Sequence, residues 1–304
     1  MKVHGPEAIR AAVDLPALIE PVAEALADYS RGLGEAPLMV FSPAGEQGDV
    51  QVKAAWLPGR GSFTVKVGSS FAARNPPNSG CLLVHSAVTG EPYALLMDEH
   101  RLTDLRTAAA GAVAARLLAR EDAATVAVLG TGVQARLQVL AACAVRPVTS
   151  VVVWGRDPVA AGALRDALAG EAREVRVAAT GEEAVSGADL VITATAAREP
   201  ILRGAWLRPG QHVTAVGADD PTKAELDAGC FARADVLAVD SRELTPRTAG
   251  DLRASGIEPH TELGELLLGR HPGRVAAEQI TVAKLIGLGV QDLAAAETVL
   301  SRLP

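Results

Sequence analysis

At 304 residues the chain exceeds the usual extent of one hydrophobic core, so two domains of roughly 100 to 200 residues are expected. An apolar content of 49% with only 3% aromatics leaves Ala, Val, Leu and Gly to fill the core, which suits helices packed closely on a parallel sheet and predicts an α/β class. The net charge of −7 is dispersed with no basic block, no apolar run approaches the roughly 18 residues of a bilayer span, and Met1–Arg10 lacks a signal-peptide pattern; these features argue against nucleic acid, membrane and export, and predict a cytoplasmic protein.

From Pro6 to about Leu33, Ile9, Val13, Leu18, Val22 and Leu26 recur at helical spacing. Short β-rich runs follow at Val50–Leu57, Ser62–Val67, Cys81–Ala87 and Pro92–Met97, the last two joined through Thr89-Gly90; they predict an antiparallel sheet. The Ala-rich stretch Thr103–Arg120 reads as a helix capped by Thr103, with Asp104 at the favourable end of its dipole. Strand-like runs then alternate with helical ones: Thr125–Leu129, Ser150–Trp154, Glu174–Ala178, Asp189–Thr195, Gln211–Val216 and Asp235–Asp240. That alternation specifies a doubly wound parallel sheet of Rossmann type. Gln279–Lys284 reads as a further strand and Gly287–Leu300 as a closing helix, while Asp240–Thr261 is polar, Gly- and Pro-punctuated and without a readable pattern. The expected division is 119–285 for the dinucleotide-binding domain, and 1–118 with 286–304 for a smaller α+β substrate-binding and dimerisation domain.

Cys81, Cys143 and Cys230 are widely separated, and the six histidines show no ligand spacing, so neither a disulfide framework nor a metal is expected. The chemistry concentrates elsewhere. Val126–Leu129 runs into Gly130-Thr131-Gly132-Val133-Gln134-Ala135, the G-x-G-x-x-G/A pattern between a strand and a helix. The second strand ends Trp154-Gly155-Arg156-Asp157. Enzymes using NAD place an acidic residue there for the ribose hydroxyls, whereas Gly155 followed by Arg156 suits the 2′-phosphate of NADP(H), which is favoured over NAD(H). Asp157 and Pro158 open the next helix as cap and first residue.

Arg106 falls in the first turn of the predicted Thr103 helix, where the dipole disfavours a cation unless an anion binds beside it, with the Thr107 hydroxyl adding a donor. On Phe63-Thr64-Val65-Lys66-Val67, alternation turns Lys66 away from the apolar residues. After the strand Gln211–Val216, Asp220-Pro221 reads as a helix cap, leaving Asp219 beyond a parallel strand end, where a carboxylate can exchange protons with a ligand.

Five ordered stretches resemble the ornithine cyclodeaminase and mu-crystallin family: Val65-Lys66-Val67, Leu102–Ala109, Gly130–Ala135, Val216-Gly217-Ala218-Asp219 and Gly287–Leu293. The resemblance implies that Lys66 and Arg106 hold the substrate carboxylate and the nicotinamide end. It further implies that Asp219 exchanges a proton with the substrate nitrogen, that Thr107, Thr195, Val216 and Lys223 lie near the cofactor, and that the chain forms a homodimer through the non-Rossmann domain. An arginine that the family usually carries some two dozen residues before the lysine is absent from Pro37–Ser42. The implied activity is reduction of an α-imino acid, such as a cyclic ketimine, or interconversion of amino and 2-oxo acids. The alternatives are an amino acid cyclodeaminase of the ornithine type, against which Gly155-Arg156 argues, and a non-catalytic NADP(H)-binding protein, against which Lys66, Arg106 and Asp219 argue.

Overall fold

The computed structural model describes residues 1–43, 48–71, 73–75 and 77–303. The chain forms two compact units, Met1–Ala110 with Gly287–Pro304, and Gly111–Ile286.

The first unit holds a six-stranded sheet of β1 (Lys2–His4), β2 (Leu38–Phe41), β3 (Gly48–Trp56), β4 (Ser62–Phe71), β5 (Asn78–Ser86) and β6 (Pro92–Leu96), in the order β1-β6-β5-β4-β3-β2. The sheet is mixed rather than antiparallel throughout, because β1 pairs in parallel with β6. Three residues with no alternation gave no signal for β1. Helix α1 (Pro6–Ala12) stops where Val13 becomes extended, and α2 (Pro16–Ser30) starts afresh, so the single N-terminal periodicity covers two helices.

Along β4 the usual pattern is inverted: Ser62, Thr64 and Lys66 are buried, while Phe63 and Val65 are half-buried and Val67 is exposed. Register carries the inversion across the sheet, since Lys53 stands opposite Lys66, and Trp56, Ala54 and Val52 stand opposite Phe63, Val65 and Val67. One face is therefore polar at its centre and covered; the other is apolar and open. The last helix of the chain, α11 (Gly289–Leu300), packs on β3, β4 and α2. Gly289 makes that approach possible, because a Cβ there would lie 2.3 Å from the Ala54 carbonyl.

Helix α3 (Arg101–Leu118) begins two residues before the predicted start. Its opening is not capped by Thr103. Asp98 accepts from Leu102 N at 2.6 Å, after Glu99 and His100 turn through positive φ. Thr103 is thus a helical residue and Arg106 lies beyond the first turn, so the dipole argument for an anion at Arg106 loses its basis.

The second unit contains an eight-stranded, wholly parallel sheet: β7 (Thr125–Leu129), β8 (Ser150–Trp154), β9 (Glu174–Val177), β10 (Leu190–Thr193), β11 (His212–Ala215), β12 (Val236–Val239), β13 (Thr261–Glu262) and β14 (Thr281–Lys284). Their order is β13-β12-β14-β11-β10-β7-β8-β9. From β7 the chain winds outward through β8 and β9, then returns to place β10 on the other side of β7. The topological switch point therefore lies between β7 and β10, where doubly wound folds bind ligands beyond the strand ends. Helices α4 (Val133–Val145), α5 (Pro158–Ala167), α6 (Gly181–Ser186), α7 (Ala228–Ala232) and α10 (Leu263–Leu267) connect the strands. The unpatterned stretch after β12 forms two short helices, α8 (Thr245–Thr248) and α9 (Gly250–Ser255).

Candidate active site

In the first unit the covered face of the sheet gathers charge. Asp292, in the first turn of α11, is 2% exposed and receives two cations: Arg106 Nε donates to Oδ1 at 2.8 Å, and Lys66 Nζ donates to Oδ1 at 3.0 Å and lies 2.8 Å from Oδ2. Lys66 also donates to Thr103 Oγ1 at 3.3 Å, and Arg106 Nη1 donates to Gln291 Oε1 at 3.0 Å. Burial works against the charge on Asp292, but Arg106 and Lys66 outweigh it and bring its pKa to about 2. Burial also pushes Lys66 down; Asp292 restores part of the loss and Arg106 adds to it, leaving a pKa of about 8.

Sequence reasoning placed Lys66 and Arg106 in one role and missed the carboxylate that joins them. Asp292 lies within the stretch Gly287–Leu293, and a lone acid early in the apolar helix Gly289–Leu300 is a readable signal. Lys53 was missed as well. It is buried, and its Nζ donates to Gly287 O at 2.8 Å. Gly287 has φ +76°, and a Cβ there would lie 2.1 Å from Arg106 Nη1, so only glycine lets this turn rest on the guanidinium.

In the second unit Gly130 adopts φ +136°, and a Cβ on it would meet the Ala194 carbonyl at 2.4 Å. The ends of β7 and β10 thus close on one another, bringing Gly130 beside Thr195. Gly132 caps α4 with no side-chain hydrogen bond, and a Cβ there would meet nothing within 4 Å. The N-terminus of α4 at Gly132 thus opens on free space, the kind of helix start at which anions bind. At the end of β8 a Cβ on Gly155 would lie 2.4 Å from Thr131 Cγ2, which ties the second strand end to the glycine-rich turn after β7. Arg156 is exposed, and Asp157 caps α5 by accepting from Val159 N at 2.9 Å.

Asp219 and Asp220 share Lys223, whose Nζ lies 2.7 Å from the first and 2.9 Å from the second. Burial opposes the Lys223 ammonium, but the two carboxylates more than offset it and raise its pKa. Asp220 does not cap a helix: its Oδ1 accepts from Thr222 N at 2.8 Å and Thr222 Oγ1 at 2.7 Å, closing a local turn. The next helix, α7, starts later and is capped by Asp227. Asp-Pro suits both motifs, and here the turn prevails.

Glu225, also unforeseen, organises these loops. Fully buried, it accepts from Thr195 N at 2.6 Å, Thr195 Oγ1 at 2.9 Å, Thr193 Oγ1 at 2.9 Å, Gly217 N at 2.7 Å and Ala218 N at 3.3 Å. One carboxylate joins the end of β10 to the segment that follows Val216 and leads into Asp219. Gly217 leaves room for it, since a Cβ would lie 2.5 Å from Glu225 Oε1. Among the described residues, no helix is long and apolar enough to cross a membrane, and no three His, Cys, Asp or Glu side chains converge as a metal site.

The sequence profile of the ornithine cyclodeaminase/mu-crystallin family matches residues 3–303. Ketimine reductase mu-crystallin of Mus musculus is 35% identical over 290 residues, covering 93% of this chain and 90% of that protein. The structure of Thermococcus litoralis Delta(1)-pyrroline-2-carboxylate reductase in complex with NADH and L-proline aligns with a TM-score of 0.94 at 28% identity, over 99% of this chain and 97% of that one. An archaeal alanine dehydrogenase dimer with bound NAD aligns with a TM-score of 0.91 at 28% identity, over 99% and 95%.

Proposed function

The chain belongs to the ornithine cyclodeaminase/mu-crystallin family, and from that premise we propose that it is a nicotinamide-dependent oxidoreductase reducing an α-imino acid to the amino acid. The observation that carries this reading is the buried trio Lys66, Arg106 and Asp292: two cations gathered on one carboxylate carry a net positive charge suited to a second, incoming carboxylate. A bound nicotinamide supplies the hydride. Lys66 and Arg106 orient the acid group so that the adjacent carbon is correctly presented, a contribution of position rather than bond making. Asp219 gives a proton to the imine nitrogen, or takes it back when the amino acid is oxidised. Lys223 holds Asp219 in place, and Glu225 fixes the backbone that leads to it.

The relatives named above include proteins described as ketimine and pyrroline-2-carboxylate reductases, which supports an imine substrate. NADP(H) is favoured over NAD(H), because no acid occupies the tip of β8 and the exposed Arg156 is available for a 2′-phosphate. A homodimer formed through the open apolar face of the first unit fits Met39, Phe41, Trp56 and Val67, which are 41–59% exposed on one side of the sheet. Incubating the protein with NADPH and a panel of cyclic ketimine acids and 2-oxo acid plus amine pairs, while following the absorbance of the reduced nicotinamide, tests the reading. Ammonia release from diamino acids without net nicotinamide turnover would replace it with the cyclodeaminase reaction.

A further inference from the structure

Lys284 is the last residue of β14, in register with Ala215 of β11 and Val239 of β12, so it stands at the carboxyl ends of the parallel strands. It is 0% exposed, and its Nζ lies 3.4 Å from Asp251 Oδ2. Among the described residues no atom accepts a hydrogen bond from that ammonium, so it gives its surroundings charge rather than a directed contact. The same Asp251 oxygen accepts from Glu225 N at 3.2 Å and Leu226 N at 3.3 Å, which brings the cation beside the backbone of Glu225. Glu225 thus has Lys284 near it from β14 and Asp251 from α9, while the end of β10 and the segment after β11 face it with hydroxyls and amides. Asp240, just past β12, accepts from Thr245 Oγ1 and Ile286 N, and Asp219 and Asp220 pair with Lys223. Burial pushes the Glu225 pKa up, and Lys284 opposes that push.

We propose that Lys284 is a positioning residue for Asp219: its buried charge keeps Glu225 a carboxylate, the form that holds the Thr195, Gly217 and Ala218 amides together and so fixes the backbone leading to Asp219. This rests on the reading of Asp219 as the group that exchanges the proton. Glu225 Oε1 accepts from Thr195 N and Oγ1, and Oε2 accepts from Thr193 Oγ1, Gly217 N and Ala218 N, so a proton on either oxygen meets donors already in place. Protonation would release an amide or reverse a hydroxyl, and Gly217 stands only two residues before Asp219. A carboxylate that accepts several amide hydrogens is favoured in its charged form, and a buried charge is sustained by an opposite one nearby. Lys284 acts on where Asp219 sits and not on the substrate acid group, so its loss should be felt in kcat rather than KM.

The test follows NADPH oxidation by cyclic ketimine acids in the parent, Lys284→Met, Lys284→Arg, Glu225→Gln and Asp219→Asn, each compared with the parent at the same pH. Losing the cation raises the pH at which Glu225 gives up its proton. Lys284→Met should therefore lower kcat by about tenfold or more near pH 6 and regain most of it by about pH 8.5, with KM changed by less than about threefold. Lys284→Arg should keep the parental profile, and Glu225→Gln, which copies the protonated group, should hold a low kcat throughout. Lys284→Met combined with Glu225→Gln removes both charges and should match Glu225→Gln; a further loss would show Lys284 acting other than through Glu225. Infrared difference spectra give a readout independent of turnover. The C=O stretch of a protonated carboxyl should appear in Lys284→Met near pH 6 and be absent from the parent and from the double variant. The proposal is overturned if that band is missing, or if it fades with rising pH while kcat relative to the parent stays fixed. Loss of turnover in Asp219→Asn beside either result leaves the proton reading standing while the proposal falls; parental turnover in Asp219→Asn removes both.

Discussion

Arg106 Nε reaches Asp292 Oδ1 at 2.8 Å across 186 residues of chain, so the helix that opens after β6 is joined to the last helix through a buried ion pair. The same carboxylate holds Lys66. Asp292→Asn would leave these cations buried without their shared anion, and a broken buried pair costs about 3–5 kcal/mol. Urea denaturation should show a loss of that order, and a change below about 1 kcal/mol would mean that water or another group compensates.

Lys66→Met and Arg106→Met should each raise KM for the acid substrate and lower kcat, because a misplacement of about 1 Å can reduce the rate roughly a hundredfold. The pH profile adds a second readout. Lys66 holds an anion only while protonated, and its pKa is depressed to about 8, so kcat/KM should stay level up to that pH and fall above it. Asp292, at about 2, stays ionised throughout this range. Lys66→Arg should remove the alkaline fall while retaining part of the activity; an unchanged profile would assign the limb to another group.

Asp219→Asn should keep the fold and nucleotide affinity but reduce turnover by roughly a hundredfold or more, as general acid–base catalysis of that size is lost. Asp220→Asn keeps an acceptor for Thr222 and should stay within a few-fold of the parent. Equal losses in the two variants would transfer the proton role away from Asp219.

Arg156→Ala should weaken NADPH binding by about 1.5–3 kcal/mol, the worth of a hydrogen bond to a charged group, and leave NADH binding unaltered. Fluorescence titration of both nucleotides on both proteins measures it. Tighter binding of NADH than NADPH by the parent would reverse the cofactor assignment. Gly155→Asp is a poorer probe, because any side chain at that position must displace Thr131.

Val67→Arg places a charge at the centre of the open apolar face of the first unit. Sedimentation should show a dimer for the parent and a monomer for the variant, since an unpaired charge in an apolar interface is costly to desolvate. A variant that remains dimeric would locate the interface elsewhere.

Strands β7 and β8 were legible to the residue, because each is a short β-branched run ended by Gly130 or Gly155. Lys66 was legible as facing away from its apolar neighbours, but not that the apolar side is the open one: alternation gives parity, and only packing decides which face is covered. Lys53 escaped notice for the same reason, because its significance lies in standing opposite Lys66 on another strand. Asp292 acts through Arg106 and Lys66, 186 and 226 residues away, and Glu225 reaches back to Thr193 and Thr195, 32 and 30 residues away, distances that local pattern does not encode. Asp220 and Thr103 were misassigned because cap and turn draw on the same small polar residues.

The division of the chain also dictates an order of completion. The second unit is one continuous segment, finished when Ile286 has been made, whereas the first unit waits for Gly287–Pro304. Domains fold as units during synthesis, so the second unit can close while Lys66 and Arg106 are still without Asp292. The acid site is assembled last, by the final helix. A chain trimmed before α11 keeps every residue of the second unit and loses the anion that lets Lys66 and Arg106 be buried side by side.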